Sequence, residues 1–251
     1  MKLFDLTGKV AIVTGSNQGL GQGYAIALAE AGADIVGVSI APSTETAAEV
    51  AKFGRKFLDL SVNLMDMSKL EGVITEAVKA FGKVDILVNN AGMIRRADLV
   101  DFSEKDWDDV MDLNLKSVFL LSQAFVRQLL KQGTGGKIVN IASMLSFQGG
   151  IRVPSYAASK GGIASLTKAF ANELANKGIT CNAIAPGYFA TENTAPLRAD
   201  AARDKAILER IPAGRWGTAS DLMGGVIFLS SSASDYVNGH ILAIDGGWLA
   251  R

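Results

Sequence analysis

Short runs of apolar and β-branched residues recur along the chain, each followed by a longer stretch with apolar positions three or four apart. That alternation predicts repeated strand–helix units, with strands over 9–14, 34–39, 56–60, 86–89, 137–141, 180–184 and 241–244. Val10-Ala11-Ile12-Val13 is apolar at every position. A strand with one wet face would alternate, so this run predicts burial on both faces and hence a parallel sheet. A helix is expected after Gly19, running through Tyr24 and Ala31 and stopping at Gly32. Ser103-Glu104-Lys105-Asp106 has the form of a capping box and opens a helix that ends near Gly133, unusually long at roughly thirty residues. The pattern contains no linker and no repeat, so residues 1–251 read as one α/β domain. The expected architecture is a doubly wound parallel sheet of about seven strands with helices on both faces. The segment 188–215 is the least regular; it holds Pro196 and Pro212 within a charged, Ala-rich stretch, and reads as a helical flap over a site.

Composition narrows the field. A chain of 251 residues with 49% hydrophobic content can bury such a sheet. Lys and Arg number 25, as do Asp and Glu, which leaves no charge excess to draw in nucleic acid or an anionic membrane. Cys181 is the only cysteine, which excludes an internal disulfide and fits a reducing compartment. The first nine residues hold no apolar leader run, so a cytoplasmic location is expected. No metal site is expected.

The first strand runs into Thr14-Gly15-Ser16-Asn17-Gln18-Gly19-Leu20-Gly21. Glycines at a strand-to-helix turn let backbone N–H groups approach a pyrophosphate, with the helix N-terminus facing its charge. The spacing is Gly-x-x-x-Gly-x-Gly, which differs from the common Gly-x-Gly-x-x-Gly fingerprint.

Further along stand Asn89-Asn90-Ala91-Gly92, Asn114, Ser143, Tyr156-Ala157-Ala158-Ser159-Lys160, Pro186-Gly187 and Asp245-Gly246-Gly247. In this order, and over the whole length, the chain resembles the short-chain dehydrogenase/reductase family. The resemblance implies a Rossmann-type sheet, a nicotinamide dinucleotide and a homotetramer in which the two long helices pack on a two-fold axis. It implies cofactor contacts at Gly15, Asn17, Gln18, Gly19, Leu20, Gly21, Ser39, Asn63, Leu64, Asn90, Ala91, Gly92, Pro186, Gly187 and Thr191, with Tyr156 and Lys160. It also implies a catalytic set of Ser143, Tyr156, Lys160 and Asn114. Asn114 would bend the long helix and hold a water in a proton relay to the lysine, and Lys160 would bind the nicotinamide ribose. The stretches 102–111, 141–156, 235–239 and 244–251 resemble the branch of the family in bacterial uronate catabolism that works on 3-deoxy hexulosonates.

The residues support this chemistry independently. Tyr156 and Lys160 lie four apart and so share a helix face. An ammonium near a phenol favours phenolate, bringing Tyr156 toward use as general acid or base. Ser143 can donate to a carbonyl oxygen and polarise it. No Lys or Arg lies between Lys9 and Lys52, where a 2′-phosphate would sit, so NAD is expected over NADP. The acid that usually marks NAD at the end of strand two is replaced by Ser39, and an expected Asp by Asn63. For a sugar-acid substrate, Arg96 or Arg152 could hold the carboxylate in a bidentate grip, with Gln148 taking hydroxyls. Competing readings are a gluconate 5-dehydrogenase, an alginate-derived uronate reductase, a 3-oxoacyl carrier-protein reductase, or a catalytically silent dinucleotide-binding regulator.

Overall fold

The computed structural model describes residues 2–251. Seven strands form one sheet among these residues: β1 (Val10–Thr14), β2 (Asp34–Ser39), β3 (Phe57–Ser61), β4 (Ile86–Asn89), β5 (Gly136–Ile141), β6 (Ile179–Pro186) and β7 (Ile241–Ile244). The order is β3-β2-β1-β4-β5-β6-β7 and every pairing is parallel. Strand positions follow the apolar runs; β6 is longer than expected because it stays buried as far as Pro186.

The continuous apolar run of β1 divides between two cores. Ala11 and Val13 pack against α1 (Gly19–Glu30), while Val10 and Ile12 pack on the opposite face. Chain order then fills both sides with α2 (Thr44–Lys52), α3 (Leu70–Phe81), α4 (Glu104–Met111), α5 (Ser117–Gln132), α6 (Pro154–Leu174), α7 (Ala195–Ala199), α8 (Ala201–Arg210) and α9 (Ala219–Ser230). Tyr24 and Leu28 of α1 join Leu222, Val226 and Leu229 of α9 on the first face. Val73 and Ile74 of α3 join Leu121, Phe125 and Leu129 of α5 on the second. Burial of both faces explains why the strands lack alternation.

The helix expected from Ser103 to Gly133 is continuous but irregular. Ser103 Oγ accepts from Asp106 N (3.1 Å), and α4 leads through a π-turn at Asp112–Lys116 into α5. A π-turn widens the ladder to i→i+5, and such bulges concentrate at functional sites. Gly133 closes α5 with φ 67°, the left-handed cap that favours glycine.

The chain crosses from the β3 edge back to β4 beside β1, so strand order reverses between β1 and β4. In an open α/β sheet the crevice beyond the carboxyl ends of strands at such a reversal is the natural ligand site. The loops leaving β1, β4, β5 and β6 all open there.

Candidate active site

The floor of the crevice is the β1–α1 turn. Gly15 and Gly19 have φ of 67° and 61°, open to glycine at little cost. A Cβ on Gly21 would collide with the Gly15 carbonyl oxygen, so α1 can start this close to β1 only with glycine there. Gln18, at the N-cap of α1, makes no side-chain cap, which leaves the first N–H groups of the helix to an outside acceptor. Thr14 ties this turn to the loop after β4: its Oγ1 accepts from Asn90 N (2.9 Å) and Ala91 N (3.0 Å), and Asn90 Nδ2 donates to Thr14 O (2.8 Å).

A cavity of about 640 Å³ opens above this floor. Of the residues expected to hold a dinucleotide, Gly15, Asn17, Gln18, Gly19, Leu20, Gly21, Asn90, Ala91, Gly92, Tyr156, Lys160, Pro186, Gly187 and Thr191 line it. A side-chain-free cradle at a helix N-terminus fits a dinucleotide's pyrophosphate. Three expected residues stand outside that lining. Ser39 is buried and its Oγ accepts from Asn17 N (3.2 Å), so it buttresses the turn. Asn63 is exposed and its Oδ1 accepts from Met65 N (3.1 Å), while Leu64 is buried in the second core. Arg198 and Glu192 line the cavity without having been anticipated. Glu192 Oε2 accepts from Gln18 Nε2 (2.9 Å), joining the flap to the glycine turn.

Ser143, Tyr156 and Lys160 converge at one edge of this cavity. Pro154 sits in the first turn of α6, where its missing N–H costs nothing, and the helix then presents Tyr156 and Lys160 on one face. Ser143, just beyond β5, accepts from Leu145 N (3.1 Å) and hydrogen-bonds the Tyr156 phenol. Lys160 is 5% exposed; its Nζ lies 5.6 Å from the centre of the Tyr156 ring and donates to Ile141 O (2.6 Å). Burial brings its pKa down to about 8. The expected pull of this ammonium on the phenol is not the dominant effect. Burial pushes the Tyr156 phenol up, and what opposes it is the Ser143 hydrogen bond and the charge of Arg96.

Asn114 occupies the π-turn and is 1% exposed. Its Oδ1 accepts from Met93 N (2.9 Å), and its Nδ2 donates to Met93 O (2.9 Å) and Ser159 Oγ (3.2 Å). The carboxamide thus pins the loop after β4 to α6, beside Lys160.

A second cavity, about 400 Å³, meets the first where Ser143, Tyr156, Gly187 and Thr194 line both. Arg96 and Gln148 line it. Arg152 does not: its Nε pairs with Asp98 Oδ1 (3.0 Å) outside the lining, although its neighbours Ile151 and Val153 line the cavity. Sequence reasoning missed Arg203, Arg210 and Trp248, which also form walls. For the two arginines a signal was present, since Arg203, Ala206, Ile207 and Arg210 have the spacing of one helix face. The flap itself proves helical, as α7 and α8. Tyr188 stacks edge-on with Trp216 (5.4 Å) and Trp248 (4.7 Å), fixing the flap to the C-terminal turn. Among the described residues no His/Cys/Asp/Glu cluster could hold a metal, and no helix is long and apolar enough to cross a membrane.

The buried lysine links the site to stability. Lys160 loses its proton near pH 8 when folded, against 10.5 for an ordinary lysine. Between those values the unfolded chain binds more protons, so folding gains stability as pH rises through the window. Urea denaturation at pH 7.5 and 10 should therefore show the native protein gaining on a Lys160→Met variant at the higher pH. An unchanged gap would mean that Lys160 is solvated in the folded chain.

Comparison with known proteins agrees with this geometry. Residues 15–249 match a family model described as enoyl-(acyl carrier protein) reductase. The chain is 61% identical over 251 residues to 2-dehydro-3-deoxy-D-gluconate 5-dehydrogenase of Dickeya dadantii, covering 100% of this chain and 99% of that one. A crystal structure from Agrobacterium tumefaciens, of a candidate 2-deoxy-D-gluconate 3-dehydrogenase with bound NADP, superposes with TM-score 0.95 at 57% identity over 100% of both chains. A gluconate 5-dehydrogenase from Burkholderia cenocepacia, in complex with NADP and tartrate, superposes with TM-score 0.94 at 40% identity, covering 100% of this chain and 98% of that one. A full-length match at this identity and superposition, with Ser143, Tyr156 and Lys160 gathered at one edge of the crevice, places the chain in the short-chain dehydrogenase/reductase family.

Proposed function

We propose that this chain is a single dinucleotide-binding and catalytic domain that interconverts 2-dehydro-3-deoxy-D-gluconate and 3-deoxy-D-glycero-2,5-hexodiulosonate. The observation that carries the reading is the shared seam: Ser143 and Tyr156 border both the glycine-floored cavity and the arginine-lined one. A carbonyl held at that seam touches a proton donor on one side and a hydride source on the other. The Dickeya relative's name supplies the substrate. A nicotinamide cofactor, held by the glycine turn and the loops after β4 and β6, would supply or accept the hydride at C5 of the sugar acid. Tyr156 Oη gives its proton to the C5 oxygen in reduction and takes one from the C5 hydroxyl in oxidation. Ser143 polarises the same oxygen, and Arg96 favours the phenolate that remains. Lys160 spends one of its three donors on Ile141 O, which leaves two for ribose hydroxyls. Asn114 holds the loop and helix that carry these groups in register.

Tyr156→Phe keeps the ring and removes the proton donor. Turnover of 2-dehydro-3-deoxy-D-gluconate should fall by roughly 10²–10⁴-fold while cofactor binding persists. Retention of a tenth of kcat would move the proton transfer to another group. D-gluconate, measured in parallel, tests the second reading, which the Burkholderia relative supports. Preference for gluconate by more than about tenfold in kcat/KM would favour it.

At the adenosine end neither charge dominates. Ser16, Ser39 and Ser43 form a buried hydroxyl cluster, with Ser16 Oγ 3.4 Å from Ser39 Oγ and 3.1 Å from Ser43 Oγ. No acid stands at Ser39 to repel a 2′-phosphate, and no Lys or Arg between Lys9 and Lys52 attracts one. The solved relatives with NADP weigh against the NAD preference expected from that cation-free window. We infer weak discrimination, so kcat/KM for NADH and NADPH should agree within about tenfold. A difference above a hundredfold either way would reveal a charged discriminator outside that segment.

An apolar depression between the π-turn, α5 and α6, lined by Met111, Leu115, Phe119, Leu166 and Ala169, supports self-association through these helices as a homotetramer. Light scattering at micromolar concentration should give four times the chain mass, and a monomeric mass would refute it. The single buried thiol, Cys181, fits a cytoplasmic location.

A further inference from the structure

The flap helix carries a cation whose geometry is prearranged and whose charge forms no ion pair among the described residues. Asp200 caps α8 by accepting from Ala202 N (3.0 Å) and Arg203 N (3.1 Å). Trp216 Nε1 donates to Asp204 Oδ1 (2.7 Å), which fixes the rotation of the helix. Ile207 is then buried against Met144, Ile211 and Trp248, and Arg210, less than a turn further on, borders the cavity. The Arg210 guanidinium stacks over the Trp248 ring with its carbon 4.0 Å from the ring centre. Its Nη2 donates to Gln148 Oε1 (3.4 Å), which also accepts from Trp248 Nε1 (3.3 Å).

Three other arginines in this half of the molecule are already committed, and Arg203 lines the same cavity one face-repeat earlier on α8. Arg215 makes two hydrogen bonds to Asp221 (2.8 and 2.7 Å), Arg152 pairs with Asp98, and Arg198 donates to Thr191 O (3.0 Å). Arg210 alone among these is oriented by a ring face and a neutral amide, neither of which cancels its charge. A guanidinium has five donors, and one serves Gln148, so a bidentate pair remains for an anion.

We propose that Arg210 binds the substrate carboxylate, held in position by Trp248 and Gln148, at the end of the cavity away from the cofactor. This rests on the sugar-acid reading above. The reacting C5 sits at the seam between Ser143 and Tyr156, and C1 lies four carbon–carbon bonds further on, roughly 5 Å away along an extended chain. An anchor is therefore required beyond the seam. Arg210 lines only the second cavity, on the flap side. Arg96 acts at the other end, since its charge is felt by the Tyr156 phenol. Gripping C1 at Arg210 selects C5, among several similar oxygenated carbons, as the one delivered to the phenol. Because Trp248 belongs to the C-terminal turn and Arg210 to the flap, the anion would also join two segments distant in the chain.

The test compares Arg210→Ala, Arg210→Lys and Gln148→Glu with the native enzyme, on 2-dehydro-3-deoxy-D-gluconate and on 3-deoxyhexosulose. The latter has an aldehyde in place of the carboxylate. Thermal melts and cofactor binding by calorimetry establish that each variant is folded. Arg210→Ala should raise KM for the acid about ten- to a hundredfold, as expected for loss of a charge-assisted pair, and change kcat/KM for the neutral substrate less than about threefold. Arg210→Lys should recover part of the loss, because charge returns without the planar fork. Gln148→Glu, which supplies an internal carboxylate to the same guanidinium, should reproduce the alanine phenotype. Equal losses on both substrates, or a KM for the acid within threefold of native in Arg210→Ala, would overturn the proposal and leave the sugar-acid reading intact. Failure of the native enzyme to oxidise either this acid or D-gluconate would overturn that reading, and Arg210's role with it.

Discussion

The joint between β1 and β4 at Thr14 is the constraint on which the site rests. One hydroxyl accepts from two backbone N–H groups of the facing loop, and Asn90 returns a bond to the Thr14 carbonyl. Thr14 is buried, so leaving its hydroxyl or carbonyl unmet would cost about 1–3 kcal/mol. The bonds continue into the catalytic half. Asn89 Nδ2 donates to Ser122 Oγ (3.0 Å) and to Asn140 Oδ1 (2.9 Å), and Asn140 Nδ2 donates to Thr167 Oγ1 (3.0 Å) on α6. A buried polar ladder thus runs from the glycine turn through β4 and β5 to the helix that carries Tyr156 and Lys160. Fully satisfied, such a network fixes one arrangement of the strands it crosses.

The same helix is tied to its neighbours at two further points and braced once within itself, each close to the reacting groups. Ser146 Oγ donates to Lys160 O (2.6 Å), Ser159 Oγ donates to Tyr156 O (2.8 Å), and Asn114 reaches Ser159 from the π-turn. These contacts keep in place a lysine that burial disfavours in its charged form. The π-turn has its own cost in helix regularity, offset where Asn114 closes both polar groups of Met93. Burial of Lys160 and of the Tyr156 phenol thus falls at one edge of the cavity, the place where the proposed reaction moves a proton.

The second cavity is built differently. Its inner wall, from Ser143 to Val153, belongs to the loop after β5, and its outer wall belongs to the flap and the C-terminal turn. The outer wall packs through Tyr188, Trp216 and Trp248, rings from three separate segments. In the proposed reading, sheet and crevice serve the dinucleotide, and the loop after β5 together with a layer added late in the chain serves the substrate. Substrate preference can change in such a design without disturbing the parts that hold the cofactor.

The apolar runs by themselves determined the strands, because a parallel sheet buried on both faces demands uninterrupted apolar residues. The glycine spacing and the Tyr156–Lys160 interval were equally legible, since each encodes a local geometry: a turn with positive φ, or one face of a helix. What happened across the chain was not. Ser39 and Leu64 are recognisable positions, yet only packing shows that one supports Asn17 and the other fills the core. Arg96 and Arg152 looked equivalent by their distance from the motifs, yet Arg152 pairs with Asp98 outside the cavity that Arg96 lines. Arg210 and Trp248 lie 38 positions apart and meet over Gln148, in a contact that no local periodicity encodes. Local spacing sets backbone geometry within a few residues; the partners of a charged or aromatic side chain are chosen by which distant segments the sheet order brings together.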